Sequence, residues 1–589
     1  MNFGTCACVT LLATAECKGV HGLHGVRVVR GCPSAEEFES EMGARVVKQR
    51  ARVKITKDEG TFKMKVLVSD NLGEVGIEMF EAAPGIEVDV KTGLKPEELK
   101  AIIGDYDGLA IRSATKVTED VLEAAKKLKV VGRAGIGLDN VDIPAATKRG
   151  VVVMNTPTGN VVTTAEHAIA MMLALSRRIP EGTFSLKQGR WEKKNLQGRE
   201  LYKKTLGVIG YGKIGSIVAD RGRGLRMRVI IYDPFVPPEK IENDGFEFAS
   251  LEDLYKQSDY ITVHVPKLKN TANLLNKEAF AQMKTGVMVI NCARGGIINE
   301  ADLHEAIVAG KVAGAALDVF ETEPPGQNPL LSLEQVICTP HLGASTKEAQ
   351  ANVAVMVAQQ IIDYLTDGTI VNAVNVPSVT GEILEKVGPY IKLAEQMGLL
   401  QAQLIKGAPK EVVVEYYGDF KGIDLSPVTT ALLKGLLTPM VKEVVNFVNA
   451  HHLANQRGIK VTETTIGSHE EYTYLVTAKL VTTEGESVVS GTIFGRKDTR
   501  IVRINTFRLE MIPLGHMALI HNLDIPGSIG EIGSTLGKHN INIGRMQVGQ
   551  ETGGERNIIF LCTDTPIPAE IIEELRGLKT VKSVTPLEF

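Results

Sequence analysis

Three polar residues that can together handle a 2-hydroxy acid follow short apolar segments late in a strand–helix pattern: Arg294, Glu323 and His341. In an open α/β sheet, the carboxyl ends of parallel strands border one crevice, so these side chains can converge there. The arginine can hold a carboxylate or keto oxygen through two charge-assisted hydrogen bonds. The histidine can transfer a proton, and the glutamate can orient it and stabilise its imidazolium form. Each residue alone also fits a surface charge, a turn or a structural histidine, so the prediction of catalysis rests on the combination.

A glycine-rich segment supplies the pattern of a dinucleotide loop. Gly210, Gly212 and Gly215 form a GxGxxG sequence between a predicted strand and a predicted helix. The first glycine permits a tight turn, the second lets backbone amides approach a pyrophosphate, and the third allows close helix packing. The next predicted strand ends at Asp233, whose carboxylate can bind the adenosine ribose hydroxyls and would repel a 2′-phosphate. We therefore expect NAD rather than NADP as the cofactor.

Two further arginines, Arg112 and Arg133, follow predicted strands of an earlier strand–helix series and can face Arg294 across a cleft. A phosphorylated substrate requires such cationic partners, whereas an unphosphorylated hydroxyacid does not. The alternative is that each is a solvated charge at a strand end. The pattern favours a phosphate-binding role.

The elements that position these residues form two alternating series separated by an apolar helix, Thr163–Ser176. Because the strands are short and almost continuously apolar, parallel doubly wound sheets are predicted. An amphipathic helix over Ser345–Leu365 follows, and 372–377 is expected to be an exit linker. The predicted strands include Lys65–Ser69, Gly108–Ile111, Thr205–Ile209, Val229–Tyr232, Tyr260–His264, Val287–Asn291, Ala313–Leu317 and Val336–Cys338.

The composition changes after the linker. Residues 378–510 mix helices, such as Val441–Arg457, with longer strands, such as Tyr472–Thr483. Residues 516–589 follow the order strand, helix, strand, strand, helix, strand, which is ferredoxin-like. The predicted fold class is α/β, with two Rossmann-like or flavodoxin-like lobes followed by an α+β intervening domain and a ferredoxin-like domain. The expected boundaries are 64–158 with 343–375 for a substrate-binding lobe, 159–342 for a NAD-binding domain, 376–511 for the intervening domain and 512–589 for the last domain.

Four segments carry a resemblance to a known family: the Gly210–Gly215 loop, the Arg294 loop, the Glu323-Pro-Pro turn and residues 340–345. In these segments the chain resembles the D-isomer-specific 2-hydroxyacid dehydrogenases, and the match covers about 65–375. Ile136 departs from the pattern, since many relatives have threonine there, near the cofactor. The resemblance implies that Ser113, Ala114 and Asn160 help to seat the substrate, and that Lys213, Ile214, Asp233, Cys292 and Asp318 line the cofactor site.

Segments 111–118, 132–137 and 155–160 are similar to the family branch that acts on a phosphorylated acid. That similarity implies oxidation of 3-phospho-D-glycerate to 3-phosphohydroxypyruvate with NAD, the first step of L-serine biosynthesis. One alternative is a dehydrogenase of another D-2-hydroxyacid, such as 2-hydroxyglutarate, glycerate or lactate. Another is a non-catalytic NAD-sensing protein similar to corepressors that keep the dehydrogenase fold. The long C-terminal tail favours the first.

The end of the chain resembles an ACT regulatory domain, and 376–511 resembles the extra domain that precedes it in long members of the family. Such domains pair through their sheets, and a loop ending in Pro526-Gly527 leaves amides free to hold an amino acid. We expect L-serine to bind near Asn522, Asp524 and Asn542 across a subunit contact as a feedback inhibitor, in a homo-oligomer that is a dimer or tetramer. The alternative is that the tail only mediates assembly, because serine-binding relatives often have histidine where Asn522 falls.

The composition excludes several other classes. The net charge of −4, with 23% charged and 44% hydrophobic residues, favours neither a nucleic-acid partner nor a membrane span. The cysteines predict neither a disulfide framework nor a metal site, and four of the seven, Cys6, Cys8, Cys17 and Cys32, lie near the start. Residues 1–63 lack periodicity and are expected to be a disordered or non-native extension, with Met64 as the true start. The cytoplasm is the expected location, with an organelle as the lesser alternative.

Overall fold

A computed structural model describes residues 63–376, 382–495, 497–551 and 556–589. The predicted N-terminal extension, apart from Lys63, lies outside the described residues, together with its four cysteines and the end of the predicted linker. None of the described helices combines the length and apolar character needed to cross a bilayer.

The first lobe is a five-stranded parallel sheet in the order β2-β1-β3-β4-β5. Its strands β3 and β4 are almost wholly buried, which explains why continuous apolar runs predicted them. The elements are β1 (Met64–Val68), α1 (Glu74–Ala82), β2 (Ile86–Val90), α2 (Pro96–Ile102), β3 (Gly108–Ile111), α3 (Glu119–Ala124), β4 (Val130–Arg133), α4 (Ile143–Lys148) and β5 (Val152–Asn155).

Two helices, α5 (Val161–Arg177) and α6 (Ile179–Lys187), lead into the second lobe. This lobe is a seven-stranded parallel sheet in the order β12-β11-β10-β9-β6-β7-β8, so the strand order reverses between β6 and β9 and opens a crevice there. Its elements are β6 (Thr205–Ile209), α7 (Lys213–Gly224), β7 (Arg228–Tyr232), α8 (Pro238–Asn243), β8 (Glu247–Phe248), α9 (Leu251–Gln257), β9 (Tyr260–Val263), α10 (Lys277–Gln282), β10 (Val287–Asn291), α11 (Glu300–Val308), β11 (Val312–Leu317) and β12 (Val336–Cys338).

Helix α12 (Lys347–Asp367) returns from the second lobe to pack on the first sheet. A Cβ atom on Gly132 would lie 2.6 Å from Val357 and 2.7 Å from Ile361, so the missing side chain lets the helix approach the strand. Asn375 then accepts a hydrogen bond from the Val153 amide, which fixes the start of the predicted exit linker against the edge strand β5.

The remaining chain forms one ten-stranded sheet in the order β14-β13-β15-β16-β17-β18-β20-β21-β19-β22. Its last four strands and two helices have the predicted ferredoxin-like order, and the predicted fold class is confirmed. The elements are α13 (Glu382–Leu404), β13 (Pro409–Tyr417), α14 (Ser426–Leu437), α15 (Ala450–Gln456), β14 (Lys460–Ile466), β15 (Leu475–Thr482), β16 (Glu486–Phe494), β17 (Asp498–Ile504), β18 (Phe507–Met511), β19 (His516–Leu523), α16 (Ser528–Lys538), β20 (Ile543–Glu551), β21 (Arg556–Thr563), α17 (Ala569–Arg576) and β22 (Val581–Glu588).

The two parts of the tail share more than a sheet. β18 pairs with β20, where Phe507 lies opposite Glu551. On one face of the last four strands, Met517, Leu519 and Phe560 pack in the same apolar cluster as residues of α13. The opposite face has a separate core with α16 and α17.

The predicted helix Val441–Arg457 is wrong in its first half, because the helix begins only at Ala450. Side chains of Asn446 and Asn449 accept hydrogen bonds from nearby backbone amides and so compete with helical bonding. Val448 inserts into the core of the first lobe. The side-chain amide of Asn446 donates a hydrogen bond to the Gly150 carbonyl at 2.7 Å. The predicted strand Tyr472–Thr483 is also shorter, spanning Leu475–Thr482.

Candidate active site

His341 and Glu323 form a direct pair, with Nδ1 of the histidine 2.7 Å from Oε2 of the carboxylate. An ionised carboxylate only accepts hydrogen bonds, so Nδ1 carries the proton and Nε2 is left as the acceptor. The other glutamate oxygen accepts from the Phe320 amide at 3.1 Å, which fixes the carboxylate. The pair therefore has the arrangement of a proton acceptor with its orienting partner.

Arg294 lies in the loop after β10 and reaches the first lobe. Its Nε donates to Asp139 at 3.0 Å. The loop is shaped by Asn291, whose side chain accepts from the Ala293 amide and donates to the Arg294 carbonyl. A Cβ atom on Gly137 would lie 1.8 Å from an Nη atom of Arg294, so the glycine leaves room for the guanidinium in this position.

Arg133, at the end of β4, lies within electrostatic reach of Arg294 and Arg112. Burial, and next the positive charge of Arg294, lower the pKa of Arg133 to about 10, so it remains protonated at neutral pH. Its Nε is buried and has no hydrogen-bond partner within the described parts of the chain. Arg112, at the end of β3, donates to the Asn71 carbonyl at 3.1 Å. The three arginines lie near two carboxylates, Asp139 and Asp70, so the group keeps a net positive charge that favours a bound anion.

Of the residues assigned to substrate seating by resemblance, Ser113 and Ala114 directly follow Arg112 in the chain. Ser113 and Ala114 are exposed in the loop after β3. Asp70 holds that loop by accepting from the Arg112 amide and from the Thr115 amide and hydroxyl. Asn160 is at the N-cap position of α5 but makes no capping hydrogen bond, and its Oδ1 is buried without a donor in the described ranges. That oxygen is therefore able to accept a hydrogen bond from a ligand.

The glycine loop has the geometry that a dinucleotide requires. Gly210 has a φ of 96°, and a Cβ atom on Gly215 would lie 1.9 Å from the Gly210 carbonyl oxygen. Gly212 is the N-cap of α7, and no side chain caps this helix. The first-turn amides of Lys213 and Ile214 can therefore bind an anion such as a pyrophosphate.

Asp233 follows β7 and accepts from the amides of Tyr211 and Phe235 at 2.7 and 2.8 Å, one on each oxygen. Each carboxylate oxygen keeps a further lone pair for ribose hydroxyls. The residues present thus fit NAD at both its pyrophosphate and its adenosine ribose.

Cys292 and Asp318 were also expected at the cofactor site, and this stays a prediction. Cys292 is buried, and burial with the nearby charge of Asp318 raises its thiol pKa, so it is not a reactive thiolate at neutral pH. Asp318 is 1% exposed. It accepts hydrogen bonds from the backbone amides of Leu342 and Gly343, the two residues that follow His341.

Sequence reasoning missed several residues that hold the site together: Asp70, Asp139, Asn291, His167 and Thr339. Asp70 and Asn291 lie near strand ends like the predicted residues, and that position was the available signal. Asp139 has no distinguishing local pattern. His167 directly precedes the apolar run 168–175 of helix α5, which was a weak signal of a buried hydrogen bond.

In the tail, the structure brings Asn522 and Asp524 to one end of the sheet. Asn557, opposite Asn522 in the register, donates to Asp524 at 3.0 Å. Asn542 instead lies at the other end, where it donates to Asp564 at 2.7 Å. Within one chain the three predicted effector residues are therefore not together.

Comparisons with known proteins agree with this architecture. The model of the "D-isomer specific 2-hydroxyacid dehydrogenase, NAD binding domain" matches residues 169–343. The "D-3-phosphoglycerate dehydrogenase intervening domain" matches 386–505, and the "ACT domain" matches 516–580.

Among similar proteins, the D-3-phosphoglycerate dehydrogenase of Synechocystis sp. is 45% identical over 88% of this chain and 93% of its own length. That of Archaeoglobus fulgidus is 44% identical over 89% of this chain and all of its own. The crystal structure of the TT0316 protein from Thermus thermophilus is 33% identical, with a TM-score of 0.50 over 53% of this chain and all of that one. The chain therefore belongs to the D-3-phosphoglycerate dehydrogenase family, in the long form with an intervening and an ACT domain.

Proposed function

We propose that this chain oxidises 3-phospho-D-glycerate to 3-phosphohydroxypyruvate with NAD, the first step of L-serine biosynthesis. The observation that supports the proposal is the electrostatic cluster of Arg112, Arg133 and Arg294, together with the His341–Glu323 pair, whose members follow the strands β11 and β12 next to the strand that precedes Arg294. A substrate with a carboxylate at one end and a phosphate at the other matches this charge pattern.

The chain's own residues account for the proton and the anions. Arg294 holds the carboxylate and the C2 oxygen, while Arg112 and Arg133 hold the phosphate. His341 takes the C2 hydroxyl proton on Nε2, and Glu323 stabilises the imidazolium that forms. As the C2 oxygen becomes a carbonyl, Arg294 keeps its hydrogen bonds to it.

The cofactor is held by the Gly210–Gly215 loop, with Lys213 and Ile214 at the helix start and Asp233 at the ribose. When bound, NAD supplies the acceptor for the C2 hydride. We assign the substrate lobe to 64–158 with 343–375 and the cofactor lobe to 159–342, so the proposed hydride transfer takes place between the two lobes.

Steady-state NAD reduction with 3-phosphoglycerate and with glycerate tests the proposal. We expect catalytic efficiency to favour the phosphorylated acid strongly. Comparable efficiencies would indicate a broader hydroxyacid dehydrogenase. No turnover with either acid would indicate an NAD-sensing protein.

We also propose that L-serine inhibits this activity through the ACT part, 512–589, in a homo-oligomer. The support is that the buried Oδ1 atoms of Asn522 and Asn557 have no donor among the described residues, while Asn542 is available only from a second copy. Activity measured with and without L-serine, beside the mass in solution, tests both parts. The cytoplasm is the proposed location, and cell fractionation tests it.

A further inference from the structure

Asp318 binds both sides of the loop that carries His341. Its Oδ1 accepts from the Thr339 hydroxyl at 2.5 Å and from the Leu342 amide at 2.7 Å. Its Oδ2 accepts from the Gly343 amide at 2.8 Å. The carboxylate is fully buried, so these bonds are formed out of water. The residues before and after His341 are therefore held by one side chain.

His167, on α5, completes this group. Its Nε2 lies 3.1 Å from the Thr339 hydroxyl oxygen and 3.2 Å from Oδ1 of Asp318. The carboxylate only accepts, so the threonine hydroxyl donates to Asp318 and its oxygen is free to accept. His167 Nε2 therefore carries the proton and donates to these two oxygens. Burial alone raises the pKa of Asp318, but the bonds from His167 and Thr339 outweigh it and lower that pKa.

The backbone of His341 needs this support. Its φ of 55° is in the left-handed region, which residues other than glycine rarely adopt. Its amide donates to the carbonyls of Asp318 and Thr339 at 2.9 and 3.0 Å. A conformation of this kind persists only where the surroundings determine it.

Helix α5 also contacts the far side of the loop. Thr164, one turn before His167, donates from its hydroxyl to the carbonyls of Gly343 and Asn160, both at 3.0 Å. Residues three apart lie on the same face of a helix. One face of α5 thus joins Asn160, which is expected to help to seat the substrate, to both ends of the 339–343 segment.

We propose that His167 is a positioning residue, which acts through Thr339 and Asp318 to hold His341 in its reactive orientation. The proposal rests on the proposed function, because it assigns His341 the proton transfer. His167 itself touches neither substrate nor cofactor in this role.

The first test compares His167→Leu with His167→Gln in steady-state NAD reduction with 3-phosphoglycerate. The leucine removes the donor, whereas the glutamine amide can reach the same two oxygens. We expect kcat to fall about 10- to 100-fold in His167→Leu, as for a misplaced catalytic group, and at most about 5-fold in His167→Gln. The KM for NAD should change less than about 3-fold in both. Glu166→Gln, an exposed change on the same helix, is the matched control for substitutions on α5.

The second test places His167→Leu in a His341→Gln background. If His167 acts through His341, adding His167→Leu to His341→Gln should lower kcat by less than about a further 3-fold, because the proton acceptor is already gone. A residue needed only for folding would cost the same factor in both backgrounds. Equal kcat losses in His167→Leu and His167→Gln, or an equal factor in both backgrounds, would overturn the proposal. Wild-type turnover in the same assay tests the proposed function separately.

Discussion

The candidate catalytic cleft and the proposed effector site in the tail both depend on polar residues near strand ends, but the fold places these residues differently. In the cleft, one chain supplies the Glu323–His341 pair and an Arg294–Asp139 bond between lobes. In the tail, Asn522 and Asn542 lie at opposite ends of the last four strands of the ten-stranded sheet. Parallel strands bring all their carboxyl ends to one edge, whereas antiparallel strands divide loop residues between two edges. A cleft can thus be completed within a chain, whereas the proposed effector site would require a second copy.

The largest effect is expected where the cleft is most complete. His341→Gln should lower turnover about 10²- to 10⁴-fold, because the proton acceptor is lost. NAD affinity, measured by calorimetric titration, should change little, since the glycine loop is untouched. Turnover near the wild-type level would show that His341 is not the proton carrier. The contrast between the cleft and the tail would then no longer hold.

Arg294→Ala should cost roughly 2 to 4 kcal/mol in transition-state binding, about 30- to 900-fold in kcat/KM, because a charged hydrogen-bonding partner of the substrate is removed. Asp139→Asn is the matched control, since it weakens the contact between lobes but leaves the guanidinium. We expect a clearly smaller loss in that variant. If the two variants lose equally, Arg294 contributes through the lobe contact alone.

The phosphate assignment predicts a selective effect of intermediate size. Arg112→Gln and Arg133→Gln should lower kcat/KM for 3-phosphoglycerate about 10- to 100-fold more than for glycerate, because a charged partner of the phosphate is lost. Measuring both acids with each variant separates substrate recognition from damage to the fold. Equal losses on the two acids would assign these arginines to structure.

The smallest effect on turnover without serine is expected for substitutions in the tail, which also test the comparison most sharply. Asn522→Ala and Asn542→Ala should each weaken inhibition by L-serine, measured as activity with serine relative to activity without. Because each site draws on two copies, dissociating and mixing the two variants should regenerate some sites with both asparagines. A mixture no more sensitive to serine than either variant would contradict a site shared between copies.

The local parts of this architecture follow from the sequence. Strands β3, β6 and β10 coincide with their predicted bounds, since buried parallel strands are continuous apolar runs, and the edge strand β12 also coincides. The polar residues that follow them were placed by the same rule. Segment 441–449 was predicted as helix because periodicity does not register asparagine side chains bonding to the backbone.

The contacts that support the site residues could not be predicted from the sequence, for a different reason. Asp70 holds the loop of Arg112, and His167 holds that of His341, across separations of many tens of residues. Such pairs leave no short-range signal. The third effector residue, Asn542, fits its predicted role only if a second copy is present, which local patterns also do not show.

The ten-stranded sheet constrains how this polypeptide can be shortened. Cutting the chain between β18 and β19 would leave one edge of β18 unpaired and uncover the side chains of α13 that share a core with Met517, Leu519 and Phe560. Open strand edges and bare apolar faces are templates for aggregation. Loss of the last domain by a premature stop codon should therefore yield insoluble protein rather than an unregulated enzyme. Evolution would then keep or lose the whole tail, from α13 to β22, as one unit.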